Sequence, residues 1–230
     1  MAKQSSIFDL ALRLVPYLLG YKQQQQKPTV VIDSRDAALL NLRNKKGSVT
    51  VVLGSRDTGK TELCYRLAEF LNRPTFAVSP QQKPPEWITW VKKLDDMFTM
   101  VPRNSTLLCD DLPSYASNRD YNEALVRALE RTIPMVRHEP NPPDFPLGEV
   151  HLIFSSQSSA QADKYILDAD AAFFKPLGLL YEDFERPNIR RIYRNYVDPV
   201  FEGKDDAWIV RHAFMWTRTY RGVIKFEKTS

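Results

Sequence analysis

Short apolar runs alternate with amphipathic segments along most of the chain. The apolar runs are rich in β-branched residues and predict strands at Thr29–Ile32, Ser48–Leu53, Thr75–Val78, Thr106–Cys109, His151–Phe154 and Ala171–Lys175. Apolar residues at helical spacing between them predict helices over about Ser34–Arg43, Gly59–Leu71, Asn122–Val136 and Pro187–Val200. Strands that alternate with helices of this length are typical of βαβ units around a mostly parallel sheet. We therefore expect a three-layer α/β/α fold with one principal domain.

Two further segments are predicted by weaker patterns. Glu86–Lys93 contains Trp87 and Trp90 and is interpreted as a short helix. Near the end of the chain, Ala207–Thr217 and Tyr220–Phe226 predict a β-hairpin that has Gly222 near its turn.

The first 28 residues differ in pattern from the rest. Ser6–Tyr21 has one apolar face and predicts a short amphipathic helix, kinked or ended by Pro16. A polar run, KQQQQKP, follows and is typical of a linker. We place a boundary near Pro28, which gives residues 1–28 as helix and linker and residues 29–230 as the main domain. The helix can pack on its own domain, dock on a neighbouring subunit, or lie on a membrane or shell protein.

Composition and charge narrow the class of protein. Of 230 residues, 43% are hydrophobic and 26% are charged, which excludes a disulfide scaffold and a wholly disordered chain. The net charge of +4 permits contact with nucleic acid without arguing for it. The two cysteines, Cys64 and Cys109, lie in apolar runs and predict buried thiols in a reducing cytoplasm. The sequence has no apolar run long enough to predict a transmembrane helix.

One motif carries specific chemistry, because it fits G-x-x-x-x-G-K-[ST] between a predicted strand and a predicted helix. Its residues, with the one that follows, are Gly54, Ser55, Arg56, Asp57, Thr58, Gly59, Lys60, Thr61 and Glu62. The glycines let backbone N–H groups surround a phosphate, and the helix N-terminus adds its dipole. Lys60 can contact the β- and γ-phosphates, and the Thr61 hydroxyl can bind Mg²⁺. This motif predicts binding of a nucleoside triphosphate.

Two other strand ends carry polar groups that belong to the same chemistry. Thr106–Cys109 is followed by Asp110 and Asp111, which resemble a Walker B element. Asp110 would hold Mg²⁺ through water, and Asp111 would orient or deprotonate the attacking water. The strand that begins at His151 leads to Gln157, which we expect near the γ-phosphate because carboxyl ends of parallel strands meet at one crevice.

Together these motifs resemble the FtsK–HerA superfamily of P-loop ATPases, and within it the small genome-packaging and mobile-element ATPases. The resemblance covers about residues 48–226 and rests on the phosphate loop, the strand that ends at Asp110 and Asp111, and LIFSSQSS. It implies a homo-oligomeric ring, commonly a hexamer, that hydrolyses ATP with Mg²⁺ and moves double-stranded DNA. One departure is Asp111, because the second acid of the motif is usually Glu in this group.

A ring of this kind needs a cation from a neighbouring subunit to neutralise charge on the transferred phosphate. Arg131 and Arg137, near the end of the predicted helix, are the first candidates for this catalytic role. A second group is Arg190, Arg191 and Arg194.

Several functions remain open from the sequence. The preferred function is packaging of a viral genome into a capsid, in the virion or host cytoplasm. Conjugative or plasmid DNA transfer is an alternative DNA-moving function. A small-molecule or nucleotide kinase and an ATP-dependent assembly or switch protein are the other classes. A kinase usually has an arginine-rich lid, which we do not find in the sequence. DNA contacts are expected mainly with phosphates and with little sequence specificity. The amphipathic N-terminal helix could bind a capsid or membrane component.

Overall fold

The computed structural model describes residues 35–78, 83–93, 96–110, 132–139, 147–157, 169–178 and 185–226. All of these residues belong to one unit of the chain, Ile32–Ser230. The predicted strand Thr29–Ile32, the N-terminal helix and most of the predicted helix Asn122–Val136 lie outside them. The boundary near Pro28 therefore stays a prediction.

The first half of the described chain alternates between helix and strand. Its elements are α1 (Arg35–Asn44), β1 (Ser48–Leu53), α2 (Lys60–Leu71), β2 (Thr75–Val78), β3 (Thr89–Val91), α3 (Met97–Met100) and β4 (Thr106–Cys109). A short 3₁₀ helix at Ile133–Met135 follows.

The second half completes the sheet. Its elements are β5 (His151–Ser156), β6 (Ala171–Phe174), α4 (Pro187–Ile192), a π-helical turn (Tyr193–Val197), α5 (Asp198–Phe201), α6 (Asp206–Arg211), β7 (His212–Thr217) and β8 (Arg221–Lys225).

The eight strands form one sheet in the order β3-β2-β4-β5-β1-β6-β7-β8. The strands from β3 to β6 pair in parallel, and β7 and β8 are antiparallel at one edge. Strand β5 lies between β1 and β4, so three carboxyl ends stand side by side. This mostly parallel sheet confirms the predicted fold class.

Helices cover both faces of the sheet and make three layers. On β1, Val49, Val51 and Leu53 face one core and Val52 faces the other, as the twofold period of a strand requires. One face is covered by α2, whose buried side chains are Leu63, Cys64, Leu67, Ala68 and Leu71. The other is covered by the segment from α4 to α5, which buries every fourth residue: Ile189, Tyr193, Val197 and Phe201.

Both cysteines lie in these cores as free, buried thiols. Burial raises the pKa of the Cys109 thiol to about 12 and raises the pKa of Cys64 as well. Neither thiol is therefore reactive near neutral pH.

Two local predictions were wrong. Glu86–Lys93 does not form a helix, because Thr89–Val91 pairs in parallel with Phe76–Val78 as an edge strand. The predicted strand Ala207–Thr217 begins as a helix, α6, because the Asp205 side chain accepts a hydrogen bond of 2.7 Å from Trp208 N. This N-cap favours a helical turn over the strand that the β-branched residues suggest. The terminal hairpin itself is present as β7 and β8.

No helix among the described residues has the length and hydropathy to cross a bilayer.

Candidate nucleotide site

The phosphate loop leaves the carboxyl end of β1 and enters α2. Its first residue, Gly54, donates a backbone hydrogen bond of 3.2 Å to Ser156 O on the neighbouring strand. A Cβ atom at Gly54 would stand 2.5 Å from the Cβ of Lys175, so no larger residue fits without movement of β6. The close packing of β1 and β6 thus requires glycine at the start of the loop.

The second glycine is required by its backbone conformation. Gly59 has φ of +82° at the N-cap of α2, and a Cβ there would lie 2.8 Å from Val210 O. Asp57 also adopts a left-handed backbone, with φ of 61°. Left-handed residues within a tight turn help to direct backbone N–H groups to one side, which is the geometry that cradles an anion.

The Lys60 side chain, the cation of the phosphate loop, is hydrogen-bonded to the loop backbone. Lys60 Nζ donates to Ser55 O at 2.7 Å, and Thr58 Oγ1 donates to the same carbonyl at 2.8 Å. Ser55 N in turn donates to Pro176 O at 2.8 Å, which ties the loop to the end of β6. Glu62, the residue after Thr61, forms an ion pair with Arg66 one turn later on α2, with 2.8 Å between Glu62 Oε1 and Arg66 Nη2.

Two elements far apart in sequence meet at the first residues of α2. Thr61 Oγ1 donates a hydrogen bond of 2.8 Å to Asp110 Oδ2, and Ser155 Oγ donates to Asp110 Oδ1. The carboxylate is thereby held by one hydroxyl from α2 and one from β5. These are hard oxygen ligands, and such oxygens suit Mg²⁺ when phosphates and water complete the shell. The sequence reasoning missed Ser155, because it lies within an apolar strand.

The position of Gln157 follows from strand order. It comes directly after β5, which lies between the loop strand β1 and the Asp110 strand β4. Arg56 Nε donates to Gln157 Oε1 at 3.3 Å, so the amide reaches the phosphate loop. The structure thus brings Gln157, the loop and Asp110 to one edge of the sheet.

A buried lysine completes this edge and was also missed. Lys175 follows β6 and is fully buried, and its Nζ donates to Ile209 O at 2.8 Å and to Val210 O at 2.9 Å. Burial, with the nearby charge of Lys60, lowers the pKa of Lys175 to about 7. The side chain links the phosphate loop to the last turn of α6. A lysine at the end of an apolar strand, in AFFKP, was the available signal.

The structure describes some of the predicted arginines, but it does not describe the second acid of the Walker B element. Arg137 lies at the opposite end of the sheet, where its guanidinium pairs with Asp170. Asp111 and Arg131 lie outside the described residues. The roles assigned to these residues stay predictions.

Comparison with known proteins gives the fold its context. No protein-family model and no curated protein matches the chain. The DNA-packaging ATPase of Sulfolobus turreted icosahedral virus is 10% identical at a TM-score of 0.50, over 80% of this chain and 100% of that chain. The pCW3 conjugation coupling protein TcpA, solved as a monomer with ATPγS, is 9% identical at a TM-score of 0.53. That match covers 78% of this chain and 60% of TcpA.

Identities this low extend the likeness to the fold. Both neighbours are P-loop ATPases. The chain therefore has the P-loop NTPase fold, in the form also found in a viral packaging ATPase and a conjugation coupling protein.

Proposed function

We propose that the protein is a Mg²⁺-dependent ATPase that couples hydrolysis to translocation of double-stranded DNA, in packaging of a viral genome into a preformed capsid. The observation that carries the enzymatic part is the 2.8 Å contact between Thr61 Oγ1 and Asp110 Oδ2. It joins the residue after the phosphate-loop lysine to a carboxylate at a strand end, which is the pairing that Mg²⁺–ATP hydrolysis needs.

In this proposal the loop from Gly54 to Thr61 binds the phosphates through backbone N–H groups. Lys60 moves from the Ser55 carbonyl, where it lies 2.7 Å away, to the β- and γ-phosphates. The exchange replaces a hydrogen bond to a neutral acceptor with a stronger contact to an anion. Glu62 lies just inside α2, and there it borders the nucleotide.

Thr61 and Asp110 are the residues that would hold Mg²⁺, and their hydroxyl and carboxylate oxygens fit it. Bound Mg²⁺ supplies positive charge that neutralises the β- and γ-phosphate oxygens. Ser155 orients the Asp110 carboxylate. Asp111 is proposed to position or deprotonate the attacking water, and Gln157 to contact the γ-phosphate or that water.

The DNA part of the proposal is supported by the neighbours. One of them is a DNA-packaging ATPase and covers 80% of this chain, and the other is a conjugation coupling protein. We propose a homo-oligomeric ring, with Arg131 or Arg137 acting on the nucleotide of a neighbouring subunit. Arg137 is far from the phosphate loop of its own chain, so any catalytic contact must be made across an interface.

Conjugative or plasmid DNA transfer is the second candidate. It is favoured by the likeness to TcpA, which has the higher TM-score, 0.53. Packaging is preferred because the match to the viral ATPase spans 100% of that protein.

We also propose that residues 1–28 form a separate docking segment, which binds a second subunit, a capsid component or a membrane component where the protein works in the virion or host cytoplasm. Deletion of residues 1–27 should then leave ATP binding intact and change the elution volume in gel filtration. An insoluble truncation would show that the segment packs on residues 29–230.

The decisive experiment measures ATP hydrolysis with and without linear duplex DNA. Wild-type hydrolysis should require Mg²⁺ and rise several-fold with DNA. Asp111→Asn should bind Mg²⁺–ATP and hydrolyse it about 10²-fold more slowly, as expected when a water-positioning base is lost. Lys93→Ala, an exposed lysine at the β3 edge, is the control with unchanged rates.

The outcomes separate the classes. Hydrolysis that DNA does not stimulate would contradict DNA translocation, but it would still support ATPase activity. Phosphate transfer to a metabolite would indicate a kinase. ATP-dependent oligomerisation without turnover would indicate an assembly protein.

A further inference from the structure

A basic cavity has its charged side chains toward the end of the sheet opposite to the phosphate loop. Its volume is about 590 Å³, and four cationic side chains line it: Lys45, Arg137, Arg218 and Arg221. Asp170 and Trp216 line it as well. Asp170 N donates to Val49 O near the start of β1, whereas the phosphate loop follows the end of that strand. The two sites are therefore about 15 Å apart along β1.

The charges in this cavity do not balance. The Asp170 carboxylate is 4% exposed and pairs with both Lys45 and Arg137, and it also accepts a hydrogen bond of 2.9 Å from Val49 N. It is the acidic residue of the lining and opposes four cations, which leaves an excess of three positive charges. Among the described residues, no carboxylate forms an ion pair with Arg218 or Arg221.

Of the two remaining arginines, Arg221 is held by a neutral contact and Arg218 lies in a hydrogen-bonded turn. Arg221 Cζ lies 3.9 Å from the centroid of the Trp216 ring, so the guanidinium rests on the indole. Stacking uses the face of a guanidinium, whereas its N–H donors lie in the plane of the group. Arg218 lies in the β7–β8 turn, where Thr217 Oγ1 accepts a hydrogen bond of 2.9 Å from Tyr220 N. Both arginines are exposed at their positions.

We infer that this basic cavity binds the phosphodiester backbone of double-stranded DNA, with Arg218 and Arg221 contacting the phosphates. The inference rests on the proposed function and adds to it the surface that holds the DNA. Exposed guanidinium groups in excess over carboxylates are the means by which proteins bind DNA without reading its sequence. Because the charged part of the cavity lies toward the amino end of β1 and the phosphate loop follows its carboxyl end, DNA and ATP bind the same chain without competing.

The test is DNA binding by the full-length double variant Arg218→Gln/Arg221→Gln. Fluorescence anisotropy with a labelled 20-bp duplex is measured over a range of NaCl concentrations. Each lost phosphate contact lowers the slope of log K against log salt by about 0.9, so we expect a decrease of about 1.8 and an affinity at least tenfold weaker at low salt. Both side chains are exposed, so the thermal midpoint should not change.

The control variant is Lys92→Gln/Lys93→Gln. It also removes two exposed cations, and Lys92 Nζ likewise lies over an indole, 5.4 Å from the Trp90 ring centroid, but at the other edge of the sheet. This control should keep the wild-type affinity, salt slope and rate of ATP hydrolysis. Equal loss in the two double variants would show that net charge alone matters and would overturn the cavity as the site.

If Arg218→Gln/Arg221→Gln shows the same salt dependence of DNA binding as the wild type, the inference is overturned. DNA-stimulated ATP hydrolysis by the wild type would still support the proposed function in that case. A wild type that binds no duplex contradicts both. Inorganic phosphate, added at matched ionic strength, should not displace the duplex. Displacement would identify a small-anion site instead.

Discussion

The two ends of β1 and its neighbouring strands carry different kinds of polar structure. At the carboxyl ends, close backbone approach fixes the geometry: a Cβ at Gly54 would lie 2.5 Å from Lys175, and Asp110 is held by two hydroxyls. At the amino ends, long charged side chains surround two buried carboxylates, Asp170 and Glu149. The first arrangement suits one ligand in one orientation, and the second suits a repeating anion whose position can vary.

This difference also decides how substitutions act. A residue at the carboxyl ends is proposed to contact the nucleotide rather than the core, so its substitution should change the rate of ATP hydrolysis. A buried residue at the amino ends, such as Asp170 or His151, helps to hold strands β1, β5 and β6 together, so its loss should change stability.

Lys60→Ala should abolish ATP hydrolysis, with a decrease of about 10³-fold or more, because the charge at the β- and γ-phosphates is lost. ATP binding should weaken, and the thermal midpoint without nucleotide should stay within a few degrees, since the lysine contacts the loop rather than the core. A malachite-green phosphate assay measures the first effect and calorimetry the last. Wild-type turnover by this variant would contradict the assignment of the loop.

The loop could be predicted from the sequence because its chemistry depends on fixed spacing over eight residues. Edge strand β3 could not be predicted from the sequence, because Thr89–Val91 is a strand only through its pairing with Phe76–Val78. Local propensity favoured a helix there, and tertiary pairing overrode it.

The candidate site was predicted in part for a similar reason. Gly54 and Asp110 follow recognisable strands and Lys60 begins a recognisable helix, so topology brings them together. Ser155 is indistinguishable in sequence from a buried serine within an apolar strand, and its role depends on which strand neighbours β4. Arg137 follows a predicted helix, and no pattern near it predicts which end of the sheet it reaches.

His151, at the amino end of β5, should make stability depend on pH. It is fully buried, and burial lowers its pKa from 6.5 to about 4. The unfolded chain therefore binds this proton between pH 6.5 and 4 while the folded chain does not. Stability is complete above pH 6.5 and falls as the pH drops toward 4, by up to about 3 kcal/mol.

Urea unfolding at pH 7, 5.5 and 4.5 measures this effect. Glu149, whose pKa is lowered by Lys46 and Arg103, contributes acid sensitivity of its own. The comparison is therefore between variants: His151→Gln should show a shallower decrease than wild type, and the exposed His138→Gln should match wild type. Equal slopes for His151→Gln and wild type would show that this histidine does not carry the dependence.

Asp170→Ala should lower the free energy of unfolding by about 2–3 kcal/mol, since it removes a buried carboxylate and leaves the Val49 N–H without its acceptor. The value is moderate because Lys45 and Arg137 are 39% and 54% exposed and can be solvated. Asp36→Ala is the matched control, because the Arg35–Asp36 pair is 50% and 70% exposed and should contribute little. Equal unfolding midpoints in urea for the two variants would contradict a structural role for Asp170.

The smallest effect is expected at Ser155, and it separates the two ends of the sheet most cleanly. Ser155→Ala removes a hydroxyl that orients the Asp110 carboxylate, so about tenfold more Mg²⁺ should be needed for half-maximal hydrolysis. Ser105→Ala removes a buried hydroxyl that donates to Pro102 O at 2.6 Å just before β4, at the amino end. It should lower the thermal midpoint and leave the Mg²⁺ requirement unchanged. Titration of hydrolysis with Mg²⁺ at saturating ATP, beside thermal unfolding of both variants, gives the comparison. An equal Mg²⁺ requirement in the two variants would show that Ser155 acts only in packing, and the chemical role would then rest on Thr61 and Asp110 alone.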